Sequence, residues 1–325
     1  MRLETEVLGV RFQNPFFLAS GTCGFGLELA EVLDIEALGG FVTKSVTLEP
    51  RVGNAPPRVA EFKGGMLNSI GLANPGLERT KREKLPWIRD NIYRPRVLVS
   101  IAGHTVTEFF TLIEGLDSED GFLGFEVNLS CPNDAERAGE LFALNPSAVA
   151  EIISGCRIRT ERPIVAKLAP NDPDLSSTVQ IATEEGANAL TLVNTLPRAL
   201  LDISDDVPEL GAGNGGISGP ALRPLGLDAV REARCATHLP LFGVGGVMTA
   251  TTAVEYARAG AALVQMGTAS FAWPRAVTKA IAGLIQWGRE HQVSAWDDLV
   301  SKPPAANASV NRLDLFDSIE SSGET

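Results

Sequence analysis

Basic residues are in short supply: 28 lysines and arginines face 40 aspartates and glutamates, a formal net charge of −12. A surface that acidic repels phosphodiester backbones, which argues against nucleic acid as a partner. Long apolar runs are missing as well. No stretch approaches the ~18 uninterrupted residues of a membrane span, and Met1-Arg2-Leu3-Glu4-Thr5 lacks the apolar core of a signal peptide. Cysteine is scarce and scattered: Cys23, Cys131, Cys156 and Cys235 form no C-x-x-C pair. That excludes a self-contained zinc or iron–sulfur site built on close spacing and fits reduced thiols in the cytoplasm. The three histidines, His104, His238 and His291, show no metal-ligand spacing and read as structural or surface groups. No metal is therefore expected. No G-x-G-x-x-G opens a helix after the first strand, so a Rossmann NAD or FAD site is not supported.

What is present is a large apolar fraction, 44% of 325 residues, punctuated by 32 glycines and 20 prolines. Short apolar runs at 15–19, 41–43, 97–101, 123–127, 164–168, 189–193, 241–244 and 263–266 read as strands. Helical periodicity falls between them at 27–38, 78–91, 106–116, 146–159, 176–185, 225–233, 250–259 and 274–290. Asn145-Pro146 and Thr249 are start signals, and Gly186 and Gly260 are stops. Eight alternating pairs predict an α/β fold of the (β/α)₈ TIM-barrel kind over residues 1–300, followed by a flexible polar tail at 301–325. Two insertions, 49–77 and 196–223, are long for βα loops, and such loops are usually functional when they are not disordered.

Each predicted strand ends in chemistry. Ser20-Gly21, Lys44-Ser45, Asn128 with Cys131 and Asn133, Lys167, Asn194-Thr195, Gly245-Gly246 and Gly267-Thr268 would all converge at the C-terminal mouth of a barrel. The glycines after the seventh and eighth strands stand where barrels hold phosphate, which points to a phosphorylated substrate or to a cofactor such as FMN. Gly211-Ala-Gly-Asn-Gly-Gly216 reads as a hinge or a close approach to that cofactor. Lys44 and Lys167, set among small residues, call for an anion or a flavin-like acceptor. Asn68-Ser-Ile-Gly-Leu72 reads as a backbone-and-amide clamp for a small polar ligand. Cys131 lies in a polar segment flanked by amides. With an unperturbed pKa of about 8.5, it needs only a modest positive field to act as a base near neutrality. Cys23, Cys156 and Cys235 read instead as small buried hydrophobes.

With Thr43-Lys44-Ser45, Asn68-Ser-Ile-Gly-Leu72, Asn128-Leu-Ser-Cys-Pro-Asn133, Gly216-Ile-Ser-Gly-Pro220 and Gly243-Val-Gly-Gly246 in order, the chain resembles the class 1 dihydroorotate dehydrogenases, class 1B above 1A. The resemblance runs from about Thr5 to Val300. It implies a barrel holding FMN at Ser20, Gly21, Lys44, Ser45, Asn128, Lys167, Val193, Gly219, Gly245, Gly246, Gly267 and Thr268. It implies substrate contacts from Lys44, Asn68, Ser69, Ile70, Gly71, Leu72, Asn128, Asn133, Asn194 and Thr195. Cys131 would take the C5 proton of dihydroorotate while C6 delivers hydride to flavin N5, yielding orotate for pyrimidine (UMP) biosynthesis. Lys167 would face the flavin N1 side, and residues 134–142 would act as a lid. Class 2 members are membrane-associated, use serine as the base and carry an N-terminal extension, and the sequence as it stands has neither feature. Class 1B also implies a homodimer core joined to an FAD/[2Fe–2S] electron-transfer subunit that reduces NAD⁺. A fumarate-using class 1A enzyme and a dihydropyrimidine dehydrogenase-like subunit, which shares the cysteine loop, are the alternatives. Two departures from relatives stand out. Ser100 occupies a position that is asparagine in several of them, and Asp202, Asp205, Asp206 and Glu209 acidify a loop that is commonly more basic.

Overall fold

The computed structural model describes residues 1–129, 141–198 and 210–301. An N-terminal hairpin, β1 (Thr5–Val7) and β2 (Val10–Phe12), precedes the first barrel strand, β3 (Phe16–Leu18). There follow β4 (Gly40–Val42), β5 (Val59–Phe62), β6 (Gly65–Asn68), β7 (Arg96–Ile101), β8 (Gly124–Asn128), β9 (Ile164–Lys167) and β10 (Ala189–Leu192). The last four are β11 (Leu196–Arg198), β12 (Gly215–Ser218), β13 (Leu241–Val244) and β14 (Leu263–Met266). Strands β3, β4, β7, β8, β9, β10, β13 and β14 close into an eight-stranded parallel barrel. The expected (β/α)₈ barrel is therefore the fold.

The strands are legible because both faces are buried, so each reads as a nearly continuous apolar run. One set of inward side chains, Phe17, Val42, Leu98, Val165, Ala189, Phe242 and Leu263, fills the barrel floor, and Val7 and Phe12 of the hairpin pack against it. The opposite face of each strand packs against the surrounding helices in one large apolar cluster.

Helix boundaries follow their caps. Thr105 accepts from the Glu108 amide at the start of Val106–Leu116, and Asn145 accepts from the Ala148 amide ahead of Pro146–Arg157. Thr249 caps Ala250–Ala259, which stops at Gly260 with φ +117°. Two expected helices differ. Residues 27–38 form successive turns and a short 3₁₀ segment, Ile35–Ala37, which Asp34 restarts by accepting from the Glu36 amide. The helix expected at 78–91 begins at Gly76 and carries a π-helical segment, Thr80–Lys84. Pro86, two residues beyond that segment, has no N–H to give, so the ladder changes register just before it.

The described parts of the two long insertions carry short strands. They pair into one antiparallel sheet in the order β11-β12-β6-β5, with Gly216 opposite Asn68 and Ser218 opposite Met66. Thr268 Oγ1, just beyond β14, donates to Ser218 Oγ at 2.8 Å and fastens this sheet to the barrel mouth. Among the described residues, no helix is long and apolar enough to cross a membrane. The tail beyond Ser301 lies outside the described residues.

Cys23 and Cys156 are buried as expected, but Cys235 is exposed. On the helix Arg223–Ala236 the buried positions are 226, 229, 230, 233 and 234, and position 235 falls off that face. Burial pushes the Cys156 thiol well above its ordinary value, up to about 12, and drives Cys23 higher still with help from the nearby Glu28 charge. Each thiol stays protonated in the folded chain while the unfolded chain ionises. Its contribution is thus fully present below pH 9 and is lost as pH rises toward 12, by roughly 1.4 kcal/mol per pH unit per thiol. The thermal midpoint should therefore fall with pH between 9 and 11, and more shallowly for Cys156→Ala. An unchanged slope in that variant would refute the assignment.

Candidate active site

Above the apolar floor lies a polar layer that crosses the barrel interior. Glu126 of β8 is fully buried, and its Oε2 accepts from Thr191 Oγ1 of β10 at 3.0 Å and from Gln265 Nε2 of β14 at 3.2 Å. Glu126 Oε1 lies 3.4 Å from Nζ of Lys167, the last residue of β9. On the other side of the mouth, Ser45 Oγ and Ser100 Oγ are 2.8 Å apart, and Ser20 Oγ donates to Thr43 O at 2.8 Å. An ideal Cβ on Gly21 would lie 3.7 Å from Lys44 Nζ, so the first two strand ends present a cation beside bare backbone.

Strand pairing brings Asn128 opposite Lys167, and Lys167 opposite Thr191. Asn194 leaves the end of β10, donates through Nδ2 to Asn128 Oδ1 at 3.3 Å, and accepts the Thr195 amide at 2.8 Å. Val193 is held by its amide donating to Val244 O at 3.1 Å. Asn128, Lys167, Val193, Asn194 and Thr195 therefore form one continuous wall, as their places at strand ends suggested.

Next to this wall, beyond β13 and β14, the rim is built of glycine. Gly219, Gly245 and Gly246 have φ of +90°, +116° and +67°. A Cβ on Gly246 would meet Arg223 Cβ at 2.8 Å and Gly219 O at 3.0 Å, so the two turns touch through their backbones. The buried Tyr256 hydroxyl donates to Gly245 O at 2.6 Å and fixes the direction of that peptide. Gly267 and Thr268 begin the short helix that follows β14.

Residues 68–72 form a tightly braced turn. Asn68 Nδ2 donates to Gly216 O at 3.2 Å, Ser69 Oγ accepts from Asn54 Nδ2 at 2.7 Å, and Ile70 O accepts the Asn54 amide at 3.1 Å. Gly71 at φ +70° and Leu72 at φ +53° turn the chain back. Asn74 then ties the segment down: its Nδ2 reaches Leu72 O and Thr47 Oγ1, each at 2.7 Å, and its Oδ1 accepts the Gly76 amide at 2.8 Å. Asn54, Asn74, Glu126 and Gln265 were not singled out in the sequence. For Asn74 the Asn-Pro-Gly turn was the available signal. For Glu126 and Gln265 it was a polar side chain inside an otherwise apolar buried strand. Cys131, Asn133, residues 134–140 and the acidic Asp202, Asp205, Asp206 and Glu209 lie outside the described residues. Among the described residues, no cluster of three or more His, Cys, Asp or Glu side chains could hold a metal ion.

Fold and site together define a barrel enzyme with its polar machinery at the C-terminal mouth. Residues 2–287 match the family model for dihydroorotate dehydrogenase, and the chain belongs to that family. It is 40% identical to the dihydroorotate dehydrogenase B (NAD(+)) catalytic subunit of Pelobacter propionicus, over 92% of this chain and 97% of the relative. The protein of the same description from Desulforudis audaxviator is 42% identical, with the same coverage of both chains. A crystal structure of DHODH from Eimeria tenella in complex with ferulenol shares the fold, at TM-score 0.77 and 20% identity over 92% of this chain and 88% of that one.

Proposed function

We propose that this chain is the FMN-binding catalytic subunit of a class 1B dihydroorotate dehydrogenase, oxidising (S)-dihydroorotate to orotate in pyrimidine biosynthesis. The observation that carries the reading is the wall of Asn128, Lys167 and Asn194 at the mouth of a closed barrel whose rim also carries Lys44 and the bare glycines Gly219, Gly245 and Gly246. That donor set suits FMN. Gly219, Gly245, Gly246, Gly267 and Thr268 offer backbone room and amides for a phosphate. Ser20, Gly21, Lys44, Ser45, Asn128, Lys167 and Val193 offer hydroxyls, cations and amide dipoles for a flat heterocycle.

FMN, when bound, supplies a two-electron acceptor for the hydride leaving substrate C6. The rest is the work of the chain. Lys44 and the amides of Asn68, Asn128, Asn133 and Asn194 would bind the carboxylate and ring amides of the substrate, with Thr195 and the 69–72 backbone closing the pocket. Cys131 would receive the proton from C5. Lys167 would stand as a fixed cation where negative charge accumulates. Residues 134–142 would exclude water over the ligand. We place the protein in the cytoplasm as a homodimer core. A partner carrying FAD and a [2Fe–2S] cluster would take the two electrons on to NAD⁺.

The test is direct. Purified protein should be yellow, and anaerobic dihydroorotate should bleach it where dihydrouracil does not. Failure of dihydroorotate to bleach a flavin-loaded protein would overturn the reading. NAD⁺ reduction should need the co-purified partner, and fumarate should not replace it.

A further inference from the structure

A charged side chain has no place in a barrel core for stability alone. Moving a carboxylate out of water costs several kcal/mol, and even a well-paired buried ion pair can often be replaced by apolar residues without loss. This barrel follows that logic one layer lower, where Phe17, Val42, Leu98, Val165, Phe242 and Leu263 make a wholly apolar floor. Yet Glu126 is 0% exposed and sits two residues before Asn128 on β8, about 6.6 Å below it by strand rise. The groups that reach it are donors: Thr191 Oγ1, Gln265 Nε2 and Lys167 Nζ. That is the surround an ionised carboxylate requires.

We infer that Glu126 is the fixed counter-charge of Lys167, a positioning residue that holds the ammonium at the mouth and sets how much positive charge the site presents to its bound flavin. The inference rests on the FMN reading above. A lone lysine beneath the flavin would favour the reduced, more negative cofactor strongly. A lysine paired with a buried carboxylate favours it less, because the two charges largely cancel at a distance while the N–H bonds remain directed. Thr191 and Gln265 keep the carboxylate from turning away, since they engage its second oxygen, Thr191 from β10 beside Lys167 and Gln265 from β14 on the far side of the barrel. They are positioning residues one step further back.

The barrel also supplies a clean probe. Glu126→Gln removes the charge and keeps the shape. The amide can leave its oxygen toward Lys167 Nζ and turn its NH₂ toward Thr191 Oγ1. Gln265, whose buried Oε1 has no partner among the described residues, can rotate to accept from it. The experiment is an equilibrium dye titration of the midpoint potential of bound flavin in parent, E126Q and Lys167→Met proteins, with thermal midpoints measured alongside. E126Q should shift the reduction equilibrium toward the reduced form by about tenfold, roughly 30 mV for a two-electron couple. Lys167→Met should shift it the opposite way. A role confined to packing would move only the thermal midpoint. A flavin-loaded E126Q protein whose equilibrium shifts by less than threefold, or toward the oxidised form, overturns the inference and leaves the proposed function intact. An E126Q protein that takes up no FMN also overturns the inference, because removing a negative charge below the site should not weaken binding of an anionic cofactor. A parent protein that binds no flavin even when FMN is added removes both readings together.

Discussion

Replacing Cys131 by serine should leave a yellow, folded protein whose flavin is bleached by dihydroorotate about a thousandfold more slowly at pH 7. Position 131 follows Asn128, which ends β8 at the mouth, by three residues. Proton removal by a positioned side chain contributes roughly 10²–10⁴ to a rate, and it depends on the basic form being present at working pH. An unperturbed thiol near pKa 8.5 is already a few per cent thiolate at neutrality, and a cation beside it would increase that fraction. A serine hydroxyl offers almost none. Lys44 and Lys167 supply the cations and remain in the variant, so flavin binding should persist. The parent rate should climb with pH as the thiolate fraction grows, while the serine variant should lack that inflection. Stopped-flow bleaching across pH 6–9 would show it, and equal rates in the two proteins would remove Cys131 from the mechanism.

The barrel strands were legible because their burial on both faces leaves a local mark. Arg-Val-Leu-Val-Ser-Ile in β7 can hardly be anything but a buried strand between turns. Caps such as Asn145 and Thr249 act over three residues, so they too are written locally. The antiparallel sheet β11-β12-β6-β5 is different. Gly216 pairs with Asn68 across 148 positions, and neither β6 nor β12 is rich in β-branched residues. Their composition answers a steric demand instead: a Cβ on Gly216 would fall 1.9 Å from Thr195 Oγ1. Glycine there lets the sheet press against the mouth, and glycine is what hides the strand from a propensity-based reading.

The site shows the same division. Residues at strand ends, such as Lys44, Asn128 and Asn194, could be grouped from topology alone, because a barrel gathers all its strand ends at one rim. Residues that brace the site from behind could not. Glu126 lies in Gly-Phe-Glu-Val-Asn and Gln265 in Leu-Val-Gln-Met, and each looks like a polar intrusion until β8, β10 and β14 are seen to face one another across the interior. Asn74 likewise acquires its role only when Thr47 and Leu72 are found on either side of it. A single polar residue in an apolar strand is thus a cue worth testing in other barrels, because some of its partners sit on strands that are not its neighbours.

Gly246→Ala should cost the protein its cofactor while leaving most of its stability. At φ +67° an alanine carries a backbone penalty of about 1–2 kcal/mol, and its Cβ would stand 2.8 Å from Arg223 Cβ, so the turn must shift. Tyr256 anchors the Gly245–Gly246 peptide through Gly245 O at 2.6 Å, and that planar unit carries the 246 amide, so the shift strains the anchor, turns the amide and pushes on Gly219 beside it. Those are the groups proposed to meet the phosphate. Hydrogen bonds to a charged group contribute about 1.5–3 kcal/mol each, so misplacing two of them should weaken FMN binding at least a hundredfold. Gly9→Ala is the control. Gly9 has φ +70° in the β1–β2 turn, with nothing within 4 Å of its would-be Cβ. It should carry the same backbone penalty and the same drop of a few degrees in the apoprotein thermal midpoint, without any effect on FMN affinity. Equal losses of FMN affinity in the two variants would mean that the glycine turns at the mouth hold no phosphate.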